Sequence, residues 1–134
     1  ILMEMVHDAR IVRIGGTHVP KHIRPWMGDS IGRWEGDTLV VETTNFPLQQ
    51  PFRGAAENLK VTERFRRVDA TTINYRFTVE DPTTFMAPWT GEIPFRAMNE
   101  LIYEYACHEG NYALANVLSG ARNEEKRLGT KQER

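Results

Sequence analysis

Apolar and polar residues alternate along much of the chain, and this alternation predicts a sheet of β-strands. The pattern is clearest over residues 59–66 and 73–80, where every odd-numbered residue except Glu63 is apolar or aromatic. A period of two is typical of strands that bury one face and expose the other. The apolar faces coincide when the loop Asp69-Ala70-Thr71 joins the two strands, because a one-residue slip would mix the faces. The predicted pairs are Phe65–Tyr75, Glu63–Phe77, Val61–Val79, Lys60–Glu80 and Arg64–Arg76.

A β-hairpin is predicted over residues 31–43, with its turn at Gly36-Asp37. Glycine at the first central position of a two-residue turn suits type II′ geometry, whose twist matches that of the flanking strands. The pairs predicted across the turn are Trp34–Leu39 and Gly32–Val41. One face of this ribbon is therefore apolar.

Further strands are predicted on both sides of these hairpins. Residues 1–14 contain two apolar runs around His7-Asp8-Ala9-Arg10, which predicts two short strands with a bend between them. Residues 89–96 alternate again, and Pro94 within that run indicates an edge strand or a bulge. A last strand is predicted over residues 101–107.

A short amphipathic helix is predicted after the strands. Apolar residues recur there at the spacing i, i+3, i+4, i+7, and Asn111 precedes them as a candidate N-cap. These apolar residues are Leu114, Val117, Leu118 and Ala121.

The predicted fold class is all-β: an antiparallel meander of about seven strands that forms a curved sheet or a lipocalin-like barrel, with one short C-terminal helix. The chain has 134 residues, enough for one domain with its own core. We expect a single β-rich domain over residues 1–122 and a charged, frayed tail over residues 123–134.

Composition excludes some classes of function. No apolar stretch reaches the length of a membrane span. The net charge of −1 argues against a surface that follows nucleic-acid phosphates. The single cysteine, Cys107, rules out an intrachain disulfide and a cysteine-rich metal site.

Four strings of residues resemble those of a large group of β-rich bacterial proteins. The strings are GRWEGDTLVVETTNF (32–46), VTERFRR (61–67), DPTT with PWTGE (81–84 and 88–92) and YEYACHEGN (103–111). The resemblance covers most of the chain. Because members of this group look exported, it implies a periplasmic or secreted protein whose leader precedes Ile1. It assigns no catalytic residue, and the comparison with lipocalin-like barrels is an analogy of fold.

Glu63 is the candidate residue with the clearest chemistry, because the alternation places it on the apolar face. A carboxylate there is costly unless it is paired or protonated. Such a residue can act as a general acid or base, or anchor a ligand. The structural alternative is an ion pair with an inward arginine such as Arg10 or Arg33, or a position at the rim that reaches water.

Three functions remain open at this stage. The first is an exported module that binds a small, partly apolar molecule, with candidate ligand-binding residues Glu63, Tyr75, Tyr103, Tyr105 and Trp34. The second is an enzyme, a hydrolase or isomerase that uses acid–base or metal-assisted chemistry, with candidate catalytic residues Glu63, His7 and His108. The third is a structural subunit that forms a homo-oligomer through its sheet edges.

The histidines leave a metal site open without defining one. His18 and His22 are four residues apart, but Pro20 between them argues against a shared helical face. The pairs His7-Asp8 and His108-Glu109 could join them only through tertiary folding. Two histidines with a carboxylate would suit zinc or iron. The sequence therefore names neither a metal nor another cofactor.

Overall fold

A six-stranded sheet is the main element of the computed structural model, which describes residues 1–5, 8–103, 110 and 112–132. The strands are β1 (Val12–Ile14), β2 (Asp29–Glu35), β3 (Thr38–Thr44), β4 (Lys60–Arg67), β5 (Thr72–Glu80) and β6 (Trp89–Arg96). They lie in chain order from β1 to β6. A helix, α1 (Ala113–Gln132), follows them. Within the described residues, no helix combines the length and hydropathy that a bilayer span needs.

The predicted register of the two hairpins is confirmed. Strand β2 pairs with β3, and β4 with β5, through every residue pair that the alternation predicted. Gly36 has a φ of 62°, whereas Asp37 is not among the residues of positive φ, as a type II′ turn requires. Strand β6 pairs with β5 alone and contains Pro94, so the prediction of an edge strand is also confirmed.

The predicted lipocalin-like barrel is wrong, because the sheet is open with β1 and β6 at its two edges. The all-antiparallel meander is wrong at one edge, since β1 runs parallel to β2. A parallel pair needs a long connection, and residues 15–28 supply it between these strands. A curved sheet is compatible with this arrangement.

The predictions for the two ends of the chain also need correction. The first predicted strand is reduced to an isolated bridge between Leu2 and Ala9. Residues 101–103 form no strand, and 104–109 lie outside the described residues, as does Asn111. Helix α1 is longer than predicted and continues to Gln132, in keeping with the good helix formers of that segment.

One face of the sheet, which we call the apolar face, follows directly from the registers. Its two middle rows consist of Trp34, Leu39, Phe65, Tyr75 and Ile93, and of Gly32, Val41, Glu63, Phe77 and Gly91. Gly91 lets the ring of Phe77 lie over β6, because a Cβ there would come within 2.6 Å of Phe77 Cε1. Residues of the two loops after β3 and β5, among them Ala55 and Phe85, pack on one end of this face.

The hydrophobic core is small and lies at that covered end. Its main cluster is Ala55, Leu59 and Val79, against which partly buried aromatic residues such as Phe46 and Trp89 pack. Val40 and Val41 on β3 are also fully buried. At the other end of the apolar face large side chains stay exposed. They include Trp34, Ile73, Ile93 and Phe95. That end of the apolar face is therefore available to other groups.

Candidate functional site

Glu63 lies on the apolar face, in the middle of the sheet. Strand pairing sets it beside Val41 on β3 and Phe77 on β5. The residue is 4% exposed, so its carboxylate is buried among apolar neighbours, as the alternation predicted. A charge in such a position must be paired, since desolvation would otherwise cost several kcal/mol, about the penalty known for buried ions.

Arg10 supplies the opposite charge. Its Nη1 lies 2.7 Å from Glu63 Oε2, and its Nη2 donates a hydrogen bond of 3.0 Å to Oε1. The structural interpretation of Glu63, an ion pair with Arg10, is therefore confirmed. Arg33, the other candidate partner, instead pairs with Glu35.

Tyr75 completes the site. Its hydroxyl donates a hydrogen bond of 2.8 Å to Glu63 Oε1. Burial, together with the nearby charge of Glu63 and the hydrogen bond to it, raises the pKa of Tyr75, so the phenol stays protonated and acts as a donor. Its ring centroid lies 4.9 Å from that of Phe65 and 4.8 Å from that of Phe95. The tyrosine that contacts the carboxylate is thus itself held by aromatic rings.

The first residues of the chain lie on this part of the sheet. We call residues 1–5 and 8–10 the N-terminal strap. The amide of Met3 donates to the carbonyl of Asp8, and that of Arg10 to the carbonyl of Ile1. The Arg10 side chain ends at Glu63, while Ile1 lines a depression farther along the apolar face. The strap therefore contacts the face at two places.

That depression, which we call the apolar groove, has a volume of about 340 Å³. Its apolar walls are formed by Ile1, Trp34, Leu39, Phe65 and Ile73. Asp37 and Arg67 are the polar residues in its lining. The volume falls within the range of small-molecule pockets, roughly 300–1,000 Å³. Phe65 connects the two features, since it lines the groove and packs on Tyr75.

The structure brings together only part of the predicted ligand-binding set. Tyr75 contacts Glu63, and Trp34 lines the groove with 63% of its surface exposed. Tyr103 is exposed and is not part of the groove lining; its amide donates to Glu4. Three other candidates, His7, Tyr105 and His108, lie outside the described residues.

A second polar cluster, which the sequence analysis did not identify, joins the loop of residues 15–28 to the sheet. Buried Asp29 accepts hydrogen bonds from the Val19 amide at 2.9 Å and from Arg13 at 2.6 Å, and it contacts His18 Nδ1 at 2.8 Å. Burial opposes ionisation, but these three hydrogen bonds outweigh it and hold the pKa of Asp29 below its usual value. The loop has no periodic pattern, so only the tertiary structure could reveal the cluster.

Glu42 extends this cluster. Its Oε1 lies 3.3 Å from His18 Nε2, and its Oε2 forms an ion pair of 2.8 Å with Lys60 Nζ. The hydrogen bond from Lys60 lowers the pKa of Glu42. His18 is thus held between two carboxylates, whereas His22 is exposed. Across the described ranges, no group of three or more His, Cys, Asp or Glu side chains is placed to hold a metal ion.

The geometry of the apolar face supports binding chemistry better than acid–base catalysis. Glu63 is occupied by an arginine and a tyrosine, and a general base must reach a proton of its substrate. The groove beside it offers apolar walls with few polar groups, as binding pockets commonly do. Comparisons with protein-family models, curated proteins and solved structures give no match.

Proposed function

We propose that the protein binds a small, partly apolar molecule in the apolar groove. The observation that carries this proposal is the groove itself, a depression of about 340 Å³ whose walls are almost entirely apolar. Exposed apolar surface of this kind, concentrated in one concave place, is typical of a ligand site. In the same proposal the module acts in the periplasm or outside the cell, as the resemblance of its strings to exported proteins implies.

The exposed indole of Trp34 supports a binding role. Its side chain lies on the apolar face, yet most of its surface faces solvent. Burying a side chain of this size stabilises a complex, and tryptophan is a common anchor in binding sites. A ligand that covers Trp34, Leu39 and Ile73 removes their apolar surface from water.

Titration with a neutral apolar fluorophore, N-phenyl-1-naphthylamine, tests this function. We expect a saturable rise in fluorescence as the probe enters the groove of the wild-type protein. Ile73→Glu places a charge in the wall and weakens binding about tenfold or more, equivalent to roughly 1.4 kcal/mol. Ile73 is 39% exposed, so the fold tolerates the change.

Ile23→Glu is the matched control. Ile23 is 45% exposed and does not line the groove, so its substitution leaves probe binding unchanged. Absence of saturable binding to the wild type contradicts the proposal. Equal loss in the two variants also contradicts it, because the probe then binds elsewhere.

A further inference from the structure

The site around Glu63 has the chemistry of a receptor for an organic cation. A buried carboxylate accepts charge-assisted hydrogen bonds, and aromatic faces attract guanidinium and ammonium groups. Here Tyr75 donates a hydrogen bond to the Glu63 carboxylate, Phe77 lies opposite Glu63 on β5, and the ring of Tyr75 packs on those of Phe65 and Phe77. Arg10 now fills this receptor with its guanidinium group.

Arg10 fills the receptor incompletely. Among the described residues, Arg10 Nε and Glu63 Oε2 are buried and have no hydrogen-bond partner. The close contact between Nη1 and Oε2 is thus an ion pair without hydrogen-bond geometry. Buried polar groups are normally satisfied, so this pair leaves bonding capacity that a better-fitting cation could use.

The N-terminal strap that carries Arg10 buries its apolar side chains only in part. Leu2 is 73% exposed and Met5 is 65% exposed, whereas Ile1 and Met3 are 47% and 37% exposed. Besides the Arg10–Glu63 contact, the strap meets the apolar face at Ile1, and its backbone hydrogen bonds are made within the strap itself. Releasing Arg10 therefore exchanges one ion pair for another and puts at risk only the partial burial of Ile1 and Met3.

We propose that Arg10 is an internal substitute for the cationic head of the ligand. The ligand class is an amphiphile with a guanidinium or alkylammonium head and a short apolar tail. The head replaces Arg10 at the Glu63 carboxylate, and the tail lies in the apolar groove. Phe65 joins the two parts, because its side chain lines the groove and packs on Tyr75.

This inference rests on the proposed function and adds the charge of the ligand to it. Isothermal titration of the wild-type protein with hexylguanidinium and with hexanol, which share a tail, separates the two claims. We expect hexylguanidinium to bind at least about tenfold more tightly, because its head replaces the Arg10 contact and also donates to Oε2, which Arg10 leaves without a hydrogen bond. Glu63→Gln removes this preference.

Arg10→Ala removes the internal competitor and is the decisive variant. It binds hexylguanidinium about tenfold or more tightly than the wild type does, whereas Arg13→Ala binds it as the wild type does. Arg13 is a fair control because its guanidinium pairs with Asp29, away from Glu63. If Arg10→Ala folds poorly, hexylguanidinium at millimolar concentration raises its melting temperature, and hexanol does not.

The outcomes distinguish the two claims. If the wild type and Arg10→Ala each bind hexylguanidinium no more tightly than hexanol, the cation inference is overturned. The proposal of an apolar binding groove then still stands. Binding of neither compound, together with no binding of the neutral fluorophore, overturns both claims. Tighter binding of hexylguanidinium that survives Glu63→Gln also overturns the inference, since the cation is then recognised elsewhere.

Discussion

Arg10 and Glu63 are 53 residues apart in the chain, and their side chains meet on the apolar face of the sheet with Nη1 2.7 Å from Oε2. Both side chains are largely buried. The contact neutralises a carboxylate that β4 places among aromatic rings, and it fixes the N-terminal strap to the sheet. One ion pair thus joins the start of the chain to the middle of the sheet.

Removing the cation destabilises the fold. Arg10→Met keeps much of the side-chain length but leaves the Glu63 carboxylate buried without a charge partner, which costs about 3 kcal/mol. The double variant Arg10→Met/Glu63→Leu recovers most of this loss, because no unpaired charge remains. Urea denaturation at pH 7 measures the free energies of unfolding.

Arg64→Met is the control for this first prediction. Arg64 also pairs with a glutamate, Glu35, but both side chains are substantially exposed, so the expected change in stability is small. If Arg10→Met and Arg64→Met had equal, small effects, the Arg10–Glu63 pair would not be the anchor of the strap.

Acid weakens the fold through Asp29 and Glu42. The pKa values of both carboxyls are lowered below their usual 3.8 and 4.5, so the unfolded chain takes up protons before the folded one does. Their contribution to stability is therefore complete above about pH 4.5 and is lost as the pH falls through the lowered folded-state pKa values. A series of urea denaturations from pH 7 to pH 3 measures the slope.

Asp29→Asn tests the share of Asp29 in this dependence. The variant is less stable at pH 7, because an amide is a weaker acceptor for Arg13, His18 and the Val19 amide. Its stability also falls less steeply with acid than that of the wild type. A slope identical to that of the wild type would mean that Asp29 does not take up its proton on unfolding.

The sequence predicted the centre of the sheet because the information there is local. In adjacent strands joined by short turns, the alternate apolar residues lie on the same face of the sheet. A register slip of one residue would turn the apolar residues of one strand toward solvent. This argument located Glu63 on the apolar face and opposite Phe77, as observed. It also named Arg10 as a possible partner, although only the tertiary structure could choose between Arg10 and Arg33.

The remaining features depend on contacts that no local pattern encodes. Closure into a barrel needs pairing of the first and last strands, and alternation is the same in an open sheet. The parallel position of β1 depends on the path of residues 15–28, which contain no periodic signal. The hydrogen bond between His18 and Asp29, which holds the loop of residues 15–28 to β2, could not be predicted for the same reason.

Gly91→Ala destabilises the sheet. A Cβ at this position would lie 2.6 Å from Phe77 Cε1 and closer still to Cζ, so the ring must move. Crowding of this kind costs about 1–3 kcal/mol. Without the ring, replacing glycine by alanine in a strand would stabilise it by about 0.5–1 kcal/mol. The sign of the stability change therefore shows whether the Phe77 ring crowds this position. Thermal unfolding of Gly91→Ala gives that sign, and adding Phe77→Leu to it relieves the loss.

Gly36→Ala weakens the hairpin of β2 and β3 through backbone conformation alone. Gly36 has a φ of 62°, and nothing lies within 4 Å of the place its Cβ would occupy. An L-residue in such a conformation costs roughly 1–2 kcal/mol. Asp37→Ala is the control in the same turn: Asp37 lacks a positive φ, so its replacement costs little beyond a hydrogen bond from Thr38. Urea denaturation compares the variants, and equal losses would indicate a type I′ turn with two left-handed residues.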